Sequence, residues 1–557
     1  MLKADRVFKN GQVVTCDGVF SIASSFAVRG GRILAVSKES LESLATSRDQ
    51  VTDLKGRCVL PGQVDGYSHI MTSGLDLLPS GGKINITKLQ SIETILGAIA
   101  TRVAGTPKGE WIATSCMYRG ELAEGRWPDR HDLDKVAPDH PAYIMQGGRP
   151  ILANSRALAL ASIDDNTPDP TDPAGKIVRD AHGKPTGQLI GGAADLARRR
   201  WSKALNIPPE EWDFMYCGEQ ELIAALEAQQ SVFHACGVTA TRDVATMRRE
   251  VGAFVRARRE NRLKLRTQVM IIIPERYMRA EQDFAEVFQS YFQAWSLGDS
   301  LLSIGGVAID YSLDGWRMLD VSLLARLIAD SNRKGWTMAV TPGIGGEQEV
   351  DEVLDALEAA DRERPIFDRH FPIMHPMGFR RPDQLARARK LGLTLNPNPL
   401  LNHFAAERSV KMFAAVAKSG LLQSSAKSGT EQAAAMWGLS AATWINAGLL
   451  VSAGSNTPAA SYDCEHPLLG LYTFQTGDTR VGRLIDGQSV SRRQAIEAYT
   501  RNGAAAMGFA REFGSLEPGK LADFVVFDTD VLHCVDSALT DVKVLATYFG
   551  GEPVYQR

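Results

Sequence analysis

The chain contains 557 residues, of which 44% are hydrophobic and 23% are charged, and its formal net charge is −3. This composition is typical of a globular protein that folds in water around an apolar core. Because acidic and basic residues nearly balance and no basic block occurs, we expect no nucleic-acid partner. No apolar run reaches the roughly 18 residues that cross a membrane, and the first residues lack the apolar stretch of a signal peptide. The sequence therefore predicts a cytoplasmic protein with no membrane partner.

The two ends of the chain share a β-rich pattern. Near the N-terminus, β-forming residues surround two turn signals, Asn10-Gly11 and Gly30-Gly31, that are typical of β-hairpins. Segment 522–528, near the C-terminus, again combines β-branched and aromatic residues. Since chain termini often lie close together, this pattern predicts one small β-sandwich domain built from residues 1–60 and 509–557.

The body of the chain, residues 61–508, alternates between apolar runs and helical periodicity. Segments 269–273 and 449–454 are examples of buried-type strands, and residues between such runs repeat their apolar positions at helical spacing. This alternation predicts an α/β fold with a (β/α)8 TIM barrel. The segment from about 75 to 225 is longer than one βα unit, so we expect it to contain an inserted lobe.

Several ordered motifs carry a family resemblance. Segment 60–69 reads Leu-Pro-Gly-Gln-Val-Asp-Gly-Tyr-Ser-His, and segment 514–523 reads Gly-Ser-Leu-Glu-Pro-Gly-Lys-Leu-Ala-Asp. The first resembles the start of the barrel in the amidohydrolase superfamily, and the second resembles that family's return into the sandwich. Segments 153–158 and 180–187 are similar to the branch that contains N-substituted formamide deformylases. The resemblance spans almost the whole chain and implies hydrolysis of a C–N bond in a small molecule.

The resemblance also implies a metal centre, but most of its ligand positions are substituted here. Members of the superfamily hold one or two divalent ions with a His-x-His pair, a bridging Lys or Glu, two later histidines and an Asp. Only the histidines at His69 and His375 remain in this sequence. The other positions carry side chains that are poor ligands or none, namely Tyr67, Gly191, Ala308, Thr341 and Asn456.

Two neutral imidazoles do not make a hydrolytic metal site, which needs about three good protein ligands and an open position for water. We therefore predict no bound metal and no other cofactor. The alternative is a rearranged ion held by His69, His375 and a carboxylate, either Asp310 or Asp314.

Three side chains are candidates for acid/base catalysis: Tyr67, His69 and His375. Tyr67 and His69 lie two residues apart at a strand end, so both should project into the barrel mouth. An imidazole titrates near neutrality, and a Tyr hydroxyl donates a proton or, if its pKa is lowered, accepts one. The alternative is that Tyr67 fills the vacated metal cavity while His69 is a buried donor. Asp310 and Asp314 are candidate bases or orienting groups, or else helix caps.

Three further residues are candidates for substrate binding. Arg149 is a bidentate donor suited to a carboxylate or a polarised carbonyl, and the alternative is a structural ion pair. Asn456 could donate to a developing oxyanion or hold the loop after the last strand. Thr341 is expected in the same wall of the cavity.

Other charged residues near the strands have structural interpretations. Asp65 precedes the first motif and is expected to brace the backbone. Arg242 and Asp243 follow a Gly-Val-Thr segment and are expected to form an internal salt bridge.

Three functional hypotheses follow from these residues. The first is an enzyme that cleaves a C–N or C–C bond by metal-independent acid/base catalysis, as a hydrolase or as a lyase of the retro-aldol type. The second is a metal-dependent amidohydrolase with an unusual mononuclear site. The third is a non-catalytic binding protein on the same scaffold. All three predict a small-molecule ligand, and the sequence leaves a homo-oligomer open.

Overall fold

The structure of the protein is a computed structural model. It describes residues 2–78, 83–86, 89–117, 122–146, 150–171, 175–206, 217–273, 298–313, 316–317, 319–342, 346–418, 434, 437–457 and 467–557.

Both ends of the chain form a β-sandwich of two sheets, as predicted. The four-stranded sheet has the order Arg32–Ser37, Ser25–Arg29, Arg6–Lys9 and Val51–Asp53. The six-stranded sheet combines strands from the two ends of the chain in the order Glu552–Gln556, Val544–Phe549, Phe524–Phe527, Cys58–Pro61, Gln12–Val14 and Ile22–Ala23.

The two predicted N-terminal turns have different outcomes. Gly30 and Gly31 have positive φ angles of 56° and 74° and join two strands of one sheet as a hairpin, as expected. Asn10 also has positive φ, but the strands on its two sides belong to different sheets, so the hairpin prediction there is wrong. Phe8 and Val13 are both buried in the sandwich core. The turn therefore carries the chain across the sandwich, so that both residues can reach the same core.

Aromatic side chains fill the space between the two sheets. Phe8 stacks on Phe26 with ring centroids 4.7 Å apart, and both rings meet Phe524 edge-on. Tyr548 stacks on Phe524 at 4.3 Å. Because Phe524 and Tyr548 come from the C-terminal end, this cluster joins the two ends of the chain through apolar contact.

The body of the chain is a barrel of eight strands in which every paired neighbour is parallel. In chain order the strands are β1 Gln63–Ser68, β2 Val238–Thr246, β3 Arg266–Ile272, β4 Leu302–Leu313, β5 Met338–Pro342, β6 Pro372–Met374, β7 Thr394–Asn396 and β8 Leu450–Val451. Backbone hydrogen bonds close the ring between its ends, since Gly66 N donates to Ala453 O at 2.9 Å and Asn456 N donates to Tyr67 O at 2.8 Å. The predicted (β/α)8 barrel is confirmed.

Helices cover the outside of the barrel. Glu347–Glu363 shows why, because its Val350, Val353, Leu354 and Leu357 are buried on one face. The other helices that accompany the barrel are Ile70–Leu77, Glu219–Ala235, Arg248–Arg259, Val321–Arg333, Pro382–Lys390, Pro399–Lys418, Ala441–Asn446, Pro467–Thr476, Arg492–Ala498 and Arg501–Ala506. Among the described helices, none combines the length and the apolar character needed to span a membrane.

An inserted lobe lies between β1 and β2 in sequence, as expected. Its six-stranded sheet has the order Gly175–Arg179, Pro185–Gly191, Ile151–Ala153, Ala142–Gln146, Ile112–Met117 and Lys83–Ile84. Its helices are Ile92–Ala104, Arg130–Val136, Ser155–Leu160 and Gly192–Leu205. The domain limits 1–60, 61–508 and 509–557, with a lobe at about 75–225, stay predictions.

A buried ion pair fastens the sandwich to the barrel. Arg266, the first residue of β3, donates through two nitrogens to both carboxylate oxygens of Asp523, and the two side chains are only 6% and 3% exposed. Gly550 N also donates to Asp523, at 2.7 Å. The guanidinium lies over the Phe549 ring at 4.4 Å. A bidentate pair with further polar contacts satisfies both charges away from water.

Candidate active site

Tyr67 lies at the carboxyl end of β1 and contacts two histidines of the barrel mouth. It is the fifth residue of β1, and its ring lies 5.3 Å from the His69 ring and 5.1 Å from the His375 ring, centroid to centroid. Both contacts are edge-to-face. Tyr67 therefore contacts both imidazoles at the carboxyl ends of β1 and β6, where the active sites of such barrels lie.

His69 is held by the end of β2. Its Nδ1 lies 2.8 Å from the carbonyl oxygen of Val244. A carbonyl can only accept, so Nδ1 carries the hydrogen and Nε2 is the unprotonated ring nitrogen. The backbone beyond His69 is fixed as well, because Ile70 N donates to Asp243 Oδ1 at 2.7 Å and Thr246 Oγ1 donates to the other oxygen of that carboxylate.

His375 and Asn456 meet across the mouth in unusual backbone conformations. His375 has φ 50° and Asn456 has φ 58°, both in the left-handed region. Asn456 Nδ2 lies 3.5 Å from His375 Nε2, which is a long contact. Non-glycine residues in this region carry conformational strain, and such strain clusters at functional sites.

Three buried polar atoms of the mouth have no hydrogen-bond partner within the described part of the chain. They are Thr341 Oγ1, at the end of β5, His375 Nδ1 and Asn456 Oδ1. Leaving a buried polar group unpaired costs about 1–3 kcal/mol. Atoms of this kind are typical of a surface that receives a ligand or a water molecule.

Burial and one carboxylate control the charge of the site. Burial lowers the pKa of His375 to about 4, and the negative charge of Asp310 partly opposes this shift. Burial also lowers the pKa of His69, while it raises the pKa of Tyr67 well above its usual value, with a further contribution from Asp310. Near neutral pH both imidazoles are therefore neutral and Tyr67 keeps its proton. These pKa directions favour neutral imidazoles and a Tyr67 hydroxyl that donates, and the catalytic roles of the three residues stay predictions.

Asp310 belongs to the same group by its position on β4. It pairs in register with Thr341 on β5, and its charge acts on Tyr67, His69 and His375. The structure thus brings six of the eight predicted site residues to the mouth or its wall. The other two, Asp314 and Arg149, lie outside the described residues.

The comparison with known families decides how this barrel is classified. A match to the amidohydrolase family covers residues 50–555. The chain belongs to the amidohydrolase family. The resemblance inferred from the ordered motifs is therefore confirmed.

Relatives of this amidohydrolase match along almost its full length. It is 26% identical to the N-substituted formamide deformylase of Arthrobacter pascens, over 99% of this chain and 98% of the relative. It is 25% identical to the putative amidohydrolase YtcJ of Bacillus subtilis, over 93% and 92% of the two chains. Among solved structures, an uncharacterized metal-dependent hydrolase from Pyrococcus horikoshii superposes with a TM-score of 0.67 at 18% identity, covering 96% of this chain and 99% of that one. The structural likeness shows the fold.

The described residues of this amidohydrolase do not fit the family's metal centre. Apolar side chains surround the Tyr67 ring, and they form one cluster of Val244, Met270, Ala308, Ala339 and Met374. Within the described ranges, no three His, Cys, Asp or Glu side chains converge as metal ligands would. An ion of this type needs about three such donors and charge compensation. Ala308, which stands at a ligand position of the family, has only a methyl side chain, so it supplies neither a donor atom nor a compensating charge.

Gly191, at the position of the inserted lobe where the resemblance places a bridging Glu, is also unsuitable for a metal ligand. Gly191 has φ 55° and ψ −133°, a conformation that residues with a Cβ rarely adopt. The backbone here is therefore built for glycine, and a Glu side chain would require a different local structure.

Asp65 braces the backbone, as predicted. Its Oδ1 accepts from Tyr67 N at 3.1 Å and from Ser455 N at 2.9 Å. One carboxylate oxygen thus ties the end of β1 to the segment after β8, on both sides of the ring closure.

The predicted salt bridge between Arg242 and Asp243 is wrong. Successive residues of a strand point to opposite faces, so the two side chains separate. Arg242 extends into the barrel interior and donates to Gln268 Oε1, Asn396 Oδ1 and Ala506 O at 2.9, 3.1 and 2.6 Å. Asp243 faces the His69 segment instead, a role that the sequence reasoning missed. The sequence feature that could have indicated this role is the pair of charged residues inside an otherwise buried strand.

Proposed function

We propose that this amidohydrolase hydrolyses a C–N bond of a small organic molecule by metal-independent acid/base catalysis in the barrel mouth. The carrying observation is that the Tyr67 ring lies about 5 Å from the rings of both His69 and His375. A phenol beside two neutral imidazoles brings together one hydrogen-bond donor and two groups that can accept a proton.

His375 acts as the general base in this proposal. It is neutral at physiological pH because burial lowers its pKa to about 4, so one ring nitrogen can accept a proton. Its Nδ1 is buried without a partner in the described structure. The charge of Asp310 stabilises the imidazolium that forms.

Tyr67 acts as the hydrogen-bond donor. Its pKa is raised well above the usual value by burial and by nearby negative charge, so the hydroxyl keeps its proton. A neutral donor in a buried site stabilises an oxyanion more than it does in water. His69, with Nδ1 fixed on Val244 O, offers Nε2 as an acceptor that orients the substrate or the attacking water.

The reaction balances with these groups alone. His375 takes a proton from water while the water oxygen forms a bond to the carbonyl carbon, and the carbonyl electron pair moves to oxygen, where Tyr67 donates a hydrogen bond. The intermediate then collapses and breaks the C–N bond. The His375 imidazolium returns its proton to the departing nitrogen.

The relatives favour hydrolysis of an amide over a lyase reaction. The Arthrobacter pascens relative is, by its name, a deformylase of N-substituted formamides, and its match covers nearly all of both chains. Thr341 and Asn456 are proposed to contact the substrate, because both lie at strand ends of the same mouth. The partner we propose is therefore a small amide.

The test combines elemental analysis with a substrate panel. The purified protein should hold no stoichiometric zinc, iron or manganese, and it should release amine from at least one member of a panel of N-substituted formamides and acetamides in the presence of a chelator. About one tightly bound transition metal per chain, whose removal abolishes turnover, would contradict the metal-independent mechanism. Binding of panel members without turnover would contradict the enzyme assignment.

A further inference from the structure

A small cavity lies beside the backbone brace of the active site. Its volume, measured as the room open to the centre of a water molecule, is about 10 Å³. That is at the lower limit for one water molecule. The polar residues of its wall are Gln63, Asp65, Ser455 and Tyr499.

The cavity wall carries polar atoms that lack partners in the described structure. Tyr499 is 3% exposed, and its hydroxyl oxygen is buried with no hydrogen bond. Both amide atoms of Gln63, which is 2% exposed, are in the same state. A buried water molecule typically makes about three hydrogen bonds to such groups. The wall therefore offers the partners that one water requires.

Asp65 connects the cavity to the site. Burial raises the pKa of Tyr499 well above its usual value, and the negative charge of Asp65 adds to the shift, so the carboxylate acts on this phenol. The same carboxylate holds Tyr67 N and Ser455 N. Anything that fixes the Asp65 carboxylate therefore fixes Tyr67 on one side and the segment leading to Asn456 on the other.

We propose that this cavity binds a single ordered water molecule, bridging the Tyr499 hydroxyl and the Asp65 carboxylate, and that Tyr499 is thereby a positioning residue for Tyr67 and Asn456. The Tyr499 hydroxyl donates to the water oxygen, and the water donates one hydrogen to Asp65. The second water hydrogen and remaining lone pair suit the Gln63 carboxamide, which has both an acceptor and a donor.

A crystal structure of the full-length wild-type protein, at a resolution where other buried waters are visible, tests the binding site. We expect water density within about 2.6–3.2 Å of both Tyr499 Oη and an Asp65 oxygen. An empty cavity, or a direct hydrogen bond between Tyr499 and Asp65, would overturn the proposal. This measurement needs no substrate and no variant.

Tyr499→Phe tests the positioning role, with Tyr548→Phe in the sandwich core as the matched control. In the Tyr499→Phe structure we expect the water to be lost and the Asp65 oxygen to move beyond hydrogen-bond distance of Ser455 N. In Tyr548→Phe both features should persist. If Asp65 keeps both backbone contacts after the hydroxyl is removed, Tyr499 has no positioning role. If Tyr499→Phe does not fold, Gln63→Leu is used instead, because it removes the two unpaired amide atoms of the cavity wall. Its crystal structure should likewise show the loss of the water.

Discussion

Two regions of the barrel interior, the lower half around Arg242 and the mouth, differ in whether their buried polar side chains have hydrogen-bond partners. In the lower half, Arg242 is buried, yet each of its donor nitrogens reaches an acceptor on Gln268, Asn396 or Ala506. In the mouth, Thr341 Oγ1 and His375 Nδ1 are buried within the described structure without any partner. The fold itself therefore supplies every acceptor that Arg242 needs, whereas Thr341 and His375 in the mouth present polar atoms that a ligand can pair. This difference separates residues that stabilise the protein from residues that serve its chemistry.

The largest expected effect is on turnover by variants of the mouth. Tyr67→Phe should lower turnover by about 10²–10³-fold, which is typical for removing one hydrogen-bond donor to an oxyanion. His69→Ala should lower turnover as well, because the acceptor that orients the substrate or the attacking water is lost. Tyr67→Phe keeps the ring that contacts both imidazoles, so its free energy of unfolding should change by no more than about 1–3 kcal/mol. Steady-state kinetics on the substrate found in the panel, together with urea unfolding, measures both. Full activity in both variants would return Tyr67 and His69 to a packing role.

The next largest effect should come from the lower half, and it should be on stability. Arg242→Leu leaves three buried acceptors without a donor, so we expect the free energy of unfolding to fall by about 2–5 kcal/mol. Urea unfolding measures this loss. Arg256→Leu, which removes a guanidinium with only exposed partners, is the control and should change stability little. Equal losses in the two variants would show that the Arg242 contacts contribute little to stability.

The pH dependence of the free energy of unfolding gives a third comparison, because it reports on His375 in the mouth. His375 has a folded-state pKa of about 4, below its usual value near 6.5, so the unfolded chain binds more protons between these pH values. Stability should therefore fall as the pH falls through this range, by about 1.4 kcal/mol per pH unit at most. Burial raises the pKa of Asp243 to about 7, and this contribution makes stability rise as the pH falls. The effect of His375 must therefore be measured as a difference between the wild type and a variant that lacks this histidine.

The suitable variant is His375→Asn, because Asn tolerates the left-handed conformation at this position. Relative to this variant, the wild type should lose about 1–2 kcal/mol between pH 6.5 and pH 5, measured by urea unfolding at the two values. A constant difference between the two proteins would mean that His375 is not held neutral by burial.

The smallest expected effect compares two threonines. Thr341 Oγ1 has no partner in the described structure, whereas Thr241 Oγ1 lies 2.7 Å from Ser68 Oγ. Thr341→Val should therefore leave stability unchanged or raise it by up to about 1 kcal/mol, while Thr241→Val should lower it by about 1–2 kcal/mol. Thermal unfolding of the two variants measures the contrast. A similar loss in both would show that the Thr341 hydroxyl is satisfied by ordered water in the resting protein.

The sequence predicted the fold because the fold depends on repeating patterns. The β-forming segments at both ends and the alternation between them are visible in the residues, and both are confirmed. The Asn10-Gly11 turn shows the limit of such reasoning, because a local turn signal does not specify whether the next strand joins the same sheet or the facing one.

The site was predictable in its positions and less so in its chemistry. A strand end followed by Tyr67 and His69 indicates where the side chains point. The pKa directions depend on burial and on Asp310 across the barrel, and no local pattern contains that information. The contact between the Val244 carbonyl and His69, which fixes the tautomer, could not be predicted for the same reason. Every residue type has the same backbone carbonyl, so the sequence does not indicate which one His69 meets.

The ion pair between Arg266 and Asp523 has a practical consequence for anyone who shortens this chain. A protein that ended before Asp523 would retain a guanidinium at the start of β3 with its counter-charge deleted, and breaking a buried pair in this way costs about 3–5 kcal/mol. It would also lose Phe549, over which the guanidinium lies. The barrel should thus not be expected to express alone as a stable catalytic fragment. Affinity tags belong at the exposed ends, near Leu2 or Arg557, where they disturb none of these contacts.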